Sequence, residues 1–208
     1  MTRIILVRHG RSMANVADIF AGITETPLTP HGLLQAQAVA NYLFEHEKID
    51  KVYASPLSRA VDTVRPTAER FGLPVIPDEG LIEVNGGLWE GLSFAELAEK
   101  YPEDFNPWMS PTPVNASPTG GESTRMVYAR VVACIKRIAE ENEGKTVLVG
   151  SHMTPVRALL VEALFGTVEA YTRKVAVPNA SLHILRYENG ALAPEKISIT
   201  EHLGEDLL

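Results

Sequence analysis

Ile4-Ile5-Leu6-Val7-Arg8-His9-Gly10 is the stretch on which the fold turns. Four consecutive aliphatic residues, too few for a helix, predict a strand buried on both faces, and the chain leaves it directly through an arginine, a histidine and a glycine. Similar short runs follow at Val52 to Ala54, Thr146 to Val149 and Leu182 to Leu185. Between them the apolar residues change to helical spacing: Leu34, Ala38, Tyr42 and Leu43 share one face, and Val127, Val131, Ile135, Ile138 and Ala139 another. Strands alternating with helices predict an α/β fold, a three-layer sandwich with a mostly parallel central sheet flanked by helices.

Open parallel sheets bind ligands beyond the carboxyl ends of their strands. His9 leaves the first strand there, and Gly150-Ser151-His152 brings a second histidine to an equivalent end. The stretch Ala54-Ser55-Pro56-Leu57-Ser58-Arg59 places Arg59 in the first turn of a helix, where backbone N–H groups and the helix dipole favour an anion. Thr29-Pro30, Ser55-Pro56 and Thr154-Pro155 each read as a hydroxyl cap followed by a proline in the first turn. Arg8, His9, Arg59 and His152 then converge on one point, and the group that suits them is a tetrahedral phosphate dianion, whose oxygens accept forked hydrogen bonds from guanidinium groups. A histidine among them can attack phosphorus, with the arginines stabilising the equatorial oxygens without a metal ion. Glu83, bracketed by Ile82 and Val84 before the turn Asn85-Gly86-Gly87, is the candidate general acid, because desolvation and a neighbouring phosphate would keep its carboxyl protonated.

The chain has 208 residues, 45% of them hydrophobic and 22% charged, which fits one globular domain. Within it, residues 85–123 read as a cap or lid insertion. Trp89, Phe94, Tyr101, Phe105 and Trp108 are its packing residues, and the breakers between Ser110 and Ser123 predict a long loop. A net charge of −7 excludes a broad footprint for nucleic acid or an anionic membrane, so any anion must be captured locally. No run approaches the ~20 apolar residues of a membrane helix, and Ile4 to Val7 is too short for the core of a signal peptide, so a cytoplasmic location is expected. Cys134, the lone cysteine, sits in an apolar run and reads as a buried thiol in a reducing compartment. His31, His46, His183 and His202 lack metal-binding spacing and read as structural or solvated.

Several ordered motifs stand behind a resemblance. They are Leu6-Val7-Arg8-His9-Gly10 with Ser12 and Asn15, Pro27-Leu28-Thr29 with Gly32 and Gln35-Ala36, and Ser55-Pro56-Leu57 with Arg59-Ala60 and Thr63. Glu83, Gly87 and Trp89-Glu90-Gly91-Leu92 follow, then Gly120-Gly121-Glu122-Ser123 and Ser151-His152. In this order and spacing the chain resembles the histidine phosphatase superfamily, the phosphoglycerate mutase-like family, in its phosphatase branch. The resemblance implies that His9 becomes phosphorylated, that Arg8, Arg59 and His152 form the phosphate pocket, that Asn15 is a further phosphate contact and that Glu83 donates the proton. It implies no metal ion or cofactor, and a mixed, mostly parallel sheet with the 85–123 region partly covering the site. Three positions depart from the family pattern: Arg11 replaces Glu or Gln, Met153 replaces glycine and Glu25 replaces Asp. Substrate choice is expected to lie in these three and in residues 85–123, with Met153 narrowing the pocket.

The expected activity is metal-independent hydrolysis of a small-metabolite phosphomonoester through a phosphohistidine. A mutase would use the same groups, but classical mutases of the family carry an arginine-rich insert after the tryptophan motif, whereas here no arginine follows until Arg125. A phosphoester-binding domain without activity would be expected to have lost His9 first. The only other partner considered is a second copy, since homologues of this kind are commonly homodimers.

Overall fold

The aliphatic run at the N-terminus forms the interior of strand β1 (Thr2–Arg8) in the computed structural model, which describes all residues 1–208. Helices α1 (Met13–Ala17) and α2 (Pro30–His46) follow, then β2 (Lys51–Ala54), α3 (Ser58–Phe71) and β3 (Val75–Pro77). Next come α4 (Phe94–Lys100), α5 (Pro102–Met109), α6 (Thr124–Glu141), β4 (Thr146–Ser151) and α7 (Met153–Phe165). The chain closes with β5 (Leu182–Glu188), β6 (Ala191–Ile199) and α8 (Gly204–Leu207).

One six-stranded sheet has the order β3-β2-β4-β1-β5-β6. The pairings β3–β2, β2–β4 and β4–β1 are parallel, and those of β5 with β1 and β6 are antiparallel. The sheet is thus α/β and mostly parallel, as the sequence predicts. Alternate side chains divide the core into two layers. Ile4, Leu6, Val147 and Val149 meet Ile135 and Ile138 of α6 and Leu159 and Leu160 of α7. Ile5, Val7 and Leu148 meet Val39 and Leu43 of α2 and Val64 and Ala68 of α3 on the other face.

Two expectations about helices need correction. Leu34 is 58% exposed, and the buried line of α2 is instead Ala36, Val39, Ala40 and Leu43. Gly32 sets this rotation. A Cβ there would lie 2.2 Å from the Arg11 carbonyl oxygen, so only glycine lets the helix start this close to the loop after His9, and the residues four, seven, eight and eleven places on inherit its inward direction.

Of the three hydroxyl-proline caps, only Thr29 behaves as expected, accepting from the Gly32 N–H at 2.9 Å. Helix α3 begins at Ser58 with no side-chain cap from Leu57, and the Glu25 carboxylate accepts from the Ser58 N–H instead. Helix α7 begins at Met153, with His152 in the cap position and Thr154 already inside the first turn.

Residues 85–123 hold a 3-10 turn at Gly87–Trp89, then α4, α5 and an irregular loop. Trp89, Leu97, Phe105 and Trp108 join Phe20, Val84 and Val127 in a third apolar cluster, in which Phe20 meets Trp89 edge-on at 5.5 Å. Cys134 is buried. No helix is long and apolar enough to cross a membrane.

Candidate active site

Three adjacent parallel strands, β2, β4 and β1, end level with one another, with Ala54 opposite Gly150 and Arg8 opposite Ser151. The Ser55 N–H donates to the Gly150 carbonyl and the His9 N–H to the Ser151 carbonyl, both at 2.9 Å, so the ladder continues one residue past the strands. Ser55, His152 and His9 are thereby lined up along one edge of the sheet.

His9 is 5% exposed and its Nδ1 lies 2.7 Å from the Gly10 carbonyl oxygen. A carbonyl only accepts, so Nδ1 carries the proton and the free lone pair is on Nε2. Burial, and then the charges of Arg8 and Arg59, hold the His9 pKa well below the usual value, so the ring is neutral at neutral pH.

His152 is wholly buried, its ring centroid 5.2 Å from that of His9, and its pKa is likewise held well down by burial and by Arg59. Its Nε2 lies 2.7 Å from Ser55 Oγ, which also accepts from the Leu57 N–H. If Nε2 donated, the Ser55 hydroxyl hydrogen would have no acceptor in a fully buried position. We therefore assign the hydroxyl as donor, which puts the ring proton on Nδ1, a buried atom without a protein partner.

Arg8 donates through Nη1 to the Val177 carbonyl at 2.6 Å, while its Nε is buried and unpartnered. Burial pulls its pKa to about 10, which still leaves a full cation at neutral pH. Arg59 is 1% exposed and ties the Gly22 and Thr24 carbonyls, at 2.7 and 2.9 Å, to the edge of the site. Asn15 closes a capping box with Ser12, and its Oδ1 also accepts from Asn179 at 3.2 Å, which leaves its amide N–H groups free.

Glu83 follows β3 on a segment pinned from two sides. Ser151 Oγ donates to the Leu81 carbonyl at 2.7 Å. Arg130 of α6 donates to the carbonyls of Gly80, Ile82 and Glu83 at 3.2, 2.8 and 2.9 Å, and is itself paired with both oxygens of Glu122 at 2.8 Å. The Glu83 carboxylate accepts from the Val84 N–H at 2.9 Å and, more weakly, from the Thr154 N–H at 3.5 Å.

These groups surround a cavity of about 180 Å³. Arg8, His9, Asn15, Arg59, Glu83 and Met153 line it, while His152 lies behind His9 and outside the lining. From residues 85–123 only Phe94, Trp108 and Pro113 reach it. Arg11 and Glu25, expected to share in substrate choice, do not line it: Arg11 contributes its backbone, accepting from Thr29 and donating to Gln35, and Glu25 accepts from Ser58 of α3. No group of three or more His, Cys, Asp or Glu side chains is placed to hold a metal ion.

The family model described as "Histidine phosphatase superfamily (branch 1)" matches residues 4–200. The chain belongs to this superfamily. Phosphoserine phosphatase 1 of Hydrogenobacter thermophilus is 36% identical over 205 residues, covering 99% of this chain and 96% of that protein. The bifunctional protein Rv2228c of Mycobacterium tuberculosis is 38% identical over 204 residues, which are 97% of this chain but only 55% of that longer protein. Among solved structures, Bacillus stearothermophilus YhfR superposes with a TM-score of 0.90 at 25% identity, over 97% of this chain and 99% of that one. This histidine phosphatase is accordingly a phosphoric monoester hydrolase.

Sequence reasoning missed four residues of the histidine phosphatase site. Ser55 was assigned to a cap. Arg157, Tyr171 and Arg173 line the cavity but lie outside the quoted motifs. Arg157 did carry a signal, as the one charge within Pro155-Val156-Arg157-Ala158-Leu159-Leu160-Val161, since a lone arginine in a buried apolar helix requires a purpose. Tyr171 and Arg173 stand in an irregular segment with no periodicity to mark them.

Proposed function

We propose that the chain hydrolyses a small phosphomonoester through a phosphohistidine on His9. The observation that carries this reading is the Nδ1 bond to the Gly10 carbonyl, which leaves Nε2 as the free base on a ring that lines the cavity. The phosphoryl group sits between Arg8, Arg59 and the Asn15 amide, with the unpartnered Arg8 Nε as a further donor to its oxygens, while His152, outside the lining, packs against the His9 ring. Nε2 attacks phosphorus as the P–O bond to the leaving group breaks, and Glu83 passes its proton to the departing oxygen. Glu83, now a carboxylate, takes a proton from water. The hydroxide so formed attacks phosphorus, the P–N bond breaks, and inorganic phosphate and free His9 result. Met153 narrows the entrance beside this centre, and residues 85–123 form one wall of it within a single domain.

The first measurement is phosphate release from phosphoserine, 3-phosphoglycerate and an aryl phosphate in excess EDTA, for the intact chain and for His9→Ala. Release that survives EDTA and disappears with His9→Ala is expected, together with acid-labile, base-stable labelling of His9. Turnover retained by His9→Ala would overturn the reading. Conversion of 3-phosphoglycerate to its 2-isomer without phosphate release would replace hydrolysis by a mutase reaction on the same groups.

A further inference from the structure

Four arginines line the cavity, Arg8, Arg59, Arg157 and Arg173, and none has a carboxylate within 4.0 Å. Of the eight arginines elsewhere, six are paired with a carboxylate, and the two that are not, Arg11 and Arg70, lie outside the cavity. The phosphoryl group accounts for Arg8 and Arg59, and the other two remain without an assigned partner.

Arg157 is only 8% exposed and donates from Nε to the Val175 carbonyl at 2.9 Å. Tyr171 lines the same cavity. Arg173 holds the Trp108 carbonyl with Nε and Nη2 at 3.1 and 2.6 Å, its guanidinium carbon 5.8 Å from the Trp108 ring centroid. That fixes the position of Arg173 and leaves Nη1 uncommitted. A cation held away from water without a counter-ion is costly, and a bound anion would supply the missing charge. The only acids lining the cavity are Asp18 and Glu83.

We propose that Arg157 and Arg173 form a second anion subsite that selects phosphomonoesters carrying a carboxylate. The proposal rests on the reading above, in which Arg8, His9 and Arg59 hold the phosphoryl group. Charge balance favours a carboxylate over a second phosphate. With Glu83 holding the proton it donates, the four arginines face Asp18 and the phosphate dianion, and a single positive charge is left to neutralise. The planar guanidinium fork of Arg157 matches a carboxylate in two-point contact, with Tyr171 as an additional donor.

The test compares 3-phosphoglycerate with glycerol 3-phosphate, which replaces the carboxylate by a hydroxymethyl group, in the intact chain, Arg157→Met and Arg173→Met. The intact chain should favour 3-phosphoglycerate in kcat/KM, and Arg157→Met should lower that preference about 10- to 100-fold, mainly through KM, as expected for loss of a charge-assisted hydrogen bond. Arg173→Met should lower it less, since only one of its donors is free. An equal loss on both substrates would make these arginines structural and overturn the subsite. A preference for fructose 1,6-bisphosphate over both would replace the carboxylate by a second phosphate and likewise overturn it. Binding of the two ligands to His9→Ala by calorimetry reads the subsite without chemistry, so an intact chain that released no phosphate would count against the phosphatase reading while the subsite was still decided.

Discussion

A buried hydroxyl needs a destination for its proton, and Ser55 sends it to His152. That bond sets the tautomer in which Nδ1 carries the hydrogen, on a wholly buried ring packed against His9. Ser55→Ala should cost about 1–3 kcal/mol by leaving His152 Nε2 unsatisfied, measured as a shift in the urea midpoint. It should also lower kcat about 10-fold and move the ¹⁵N resonances of the His152 ring toward a tautomer mixture; unchanged ring resonances would refute the assignment. His9 leads to a second expectation. Burial and the two arginines keep it neutral as pH falls through 6.5, so the acid limb of kcat/KM, once corrected for ionisation of the substrate, should lie below that value. Most side chains of the site, Arg8, His9, Asn15, Arg59 and Glu83, were legible because each occupies a marked position after a strand or in a recognisable motif. Ser55 was visible but misassigned, because a Ser-Pro pair after a strand has the composition of a helix cap and only the register of β2 against β4 shows what lies across from it.

At the scale of elements, the segment bearing Glu83 holds only a single 3-10 turn, Glu79–Leu81, and depends on α6. Arg130 gathers three of its carbonyls and Glu122 orients Arg130, so the Gly120-Gly121-Glu122-Ser123 motif reaches the Glu83 segment through α6. Arg130→Met should destabilise the chain by about 1–3 kcal/mol, since three part-buried carbonyls lose their donor. Its kinetic effect should depend on the leaving group: a drop of about tenfold or more in kcat on alkyl phosphates, which need the proton, and a much smaller one on p-nitrophenyl phosphate, which does not. A uniform drop would show that Arg130 does not act through Glu83. The four runs of aliphatic residues located β1, β2, β4 and β5, because strands buried on both faces are written in consecutive apolar letters. Strand β6 was not found, since an edge strand containing Pro194, Glu195 and Lys196 is largely exposed and lacks that signature. Its best clue was Asn189-Gly190, both at positive φ (51° and 79°), which is the two-residue turn of a tight hairpin.

Taken whole, the molecule buries several histidines as neutral rings. His183 is fully buried between Ser181 and Ser198, and burial lowers its pKa to about 4; His9 and His152 shift in the same direction. A histidine whose pKa is lower in the folded chain than in the unfolded one favours folding fully above the unfolded value near 6.5, and that contribution drains away as pH falls toward the folded value. For His183 alone the loss is on the order of 3 kcal/mol between pH 6.5 and 4. Urea midpoints should therefore fall between pH 7.5 and 5, before most carboxylates titrate, and His183→Gln should flatten part of that slope. Equal midpoints at the two pH values would contradict it. The order of the sheet has a further consequence, for synthesis. Strands β1 and β2 leave the ribosome before β4, yet they never touch each other, because β4 lies between them. A nascent chain therefore carries His9 and Arg59 well before the segment after Thr146 wedges between their strands and completes the candidate site. Recovery of turnover on refolding should accordingly be among the last signals to return, and enzymatic activity is for this protein a reporter of completed topology.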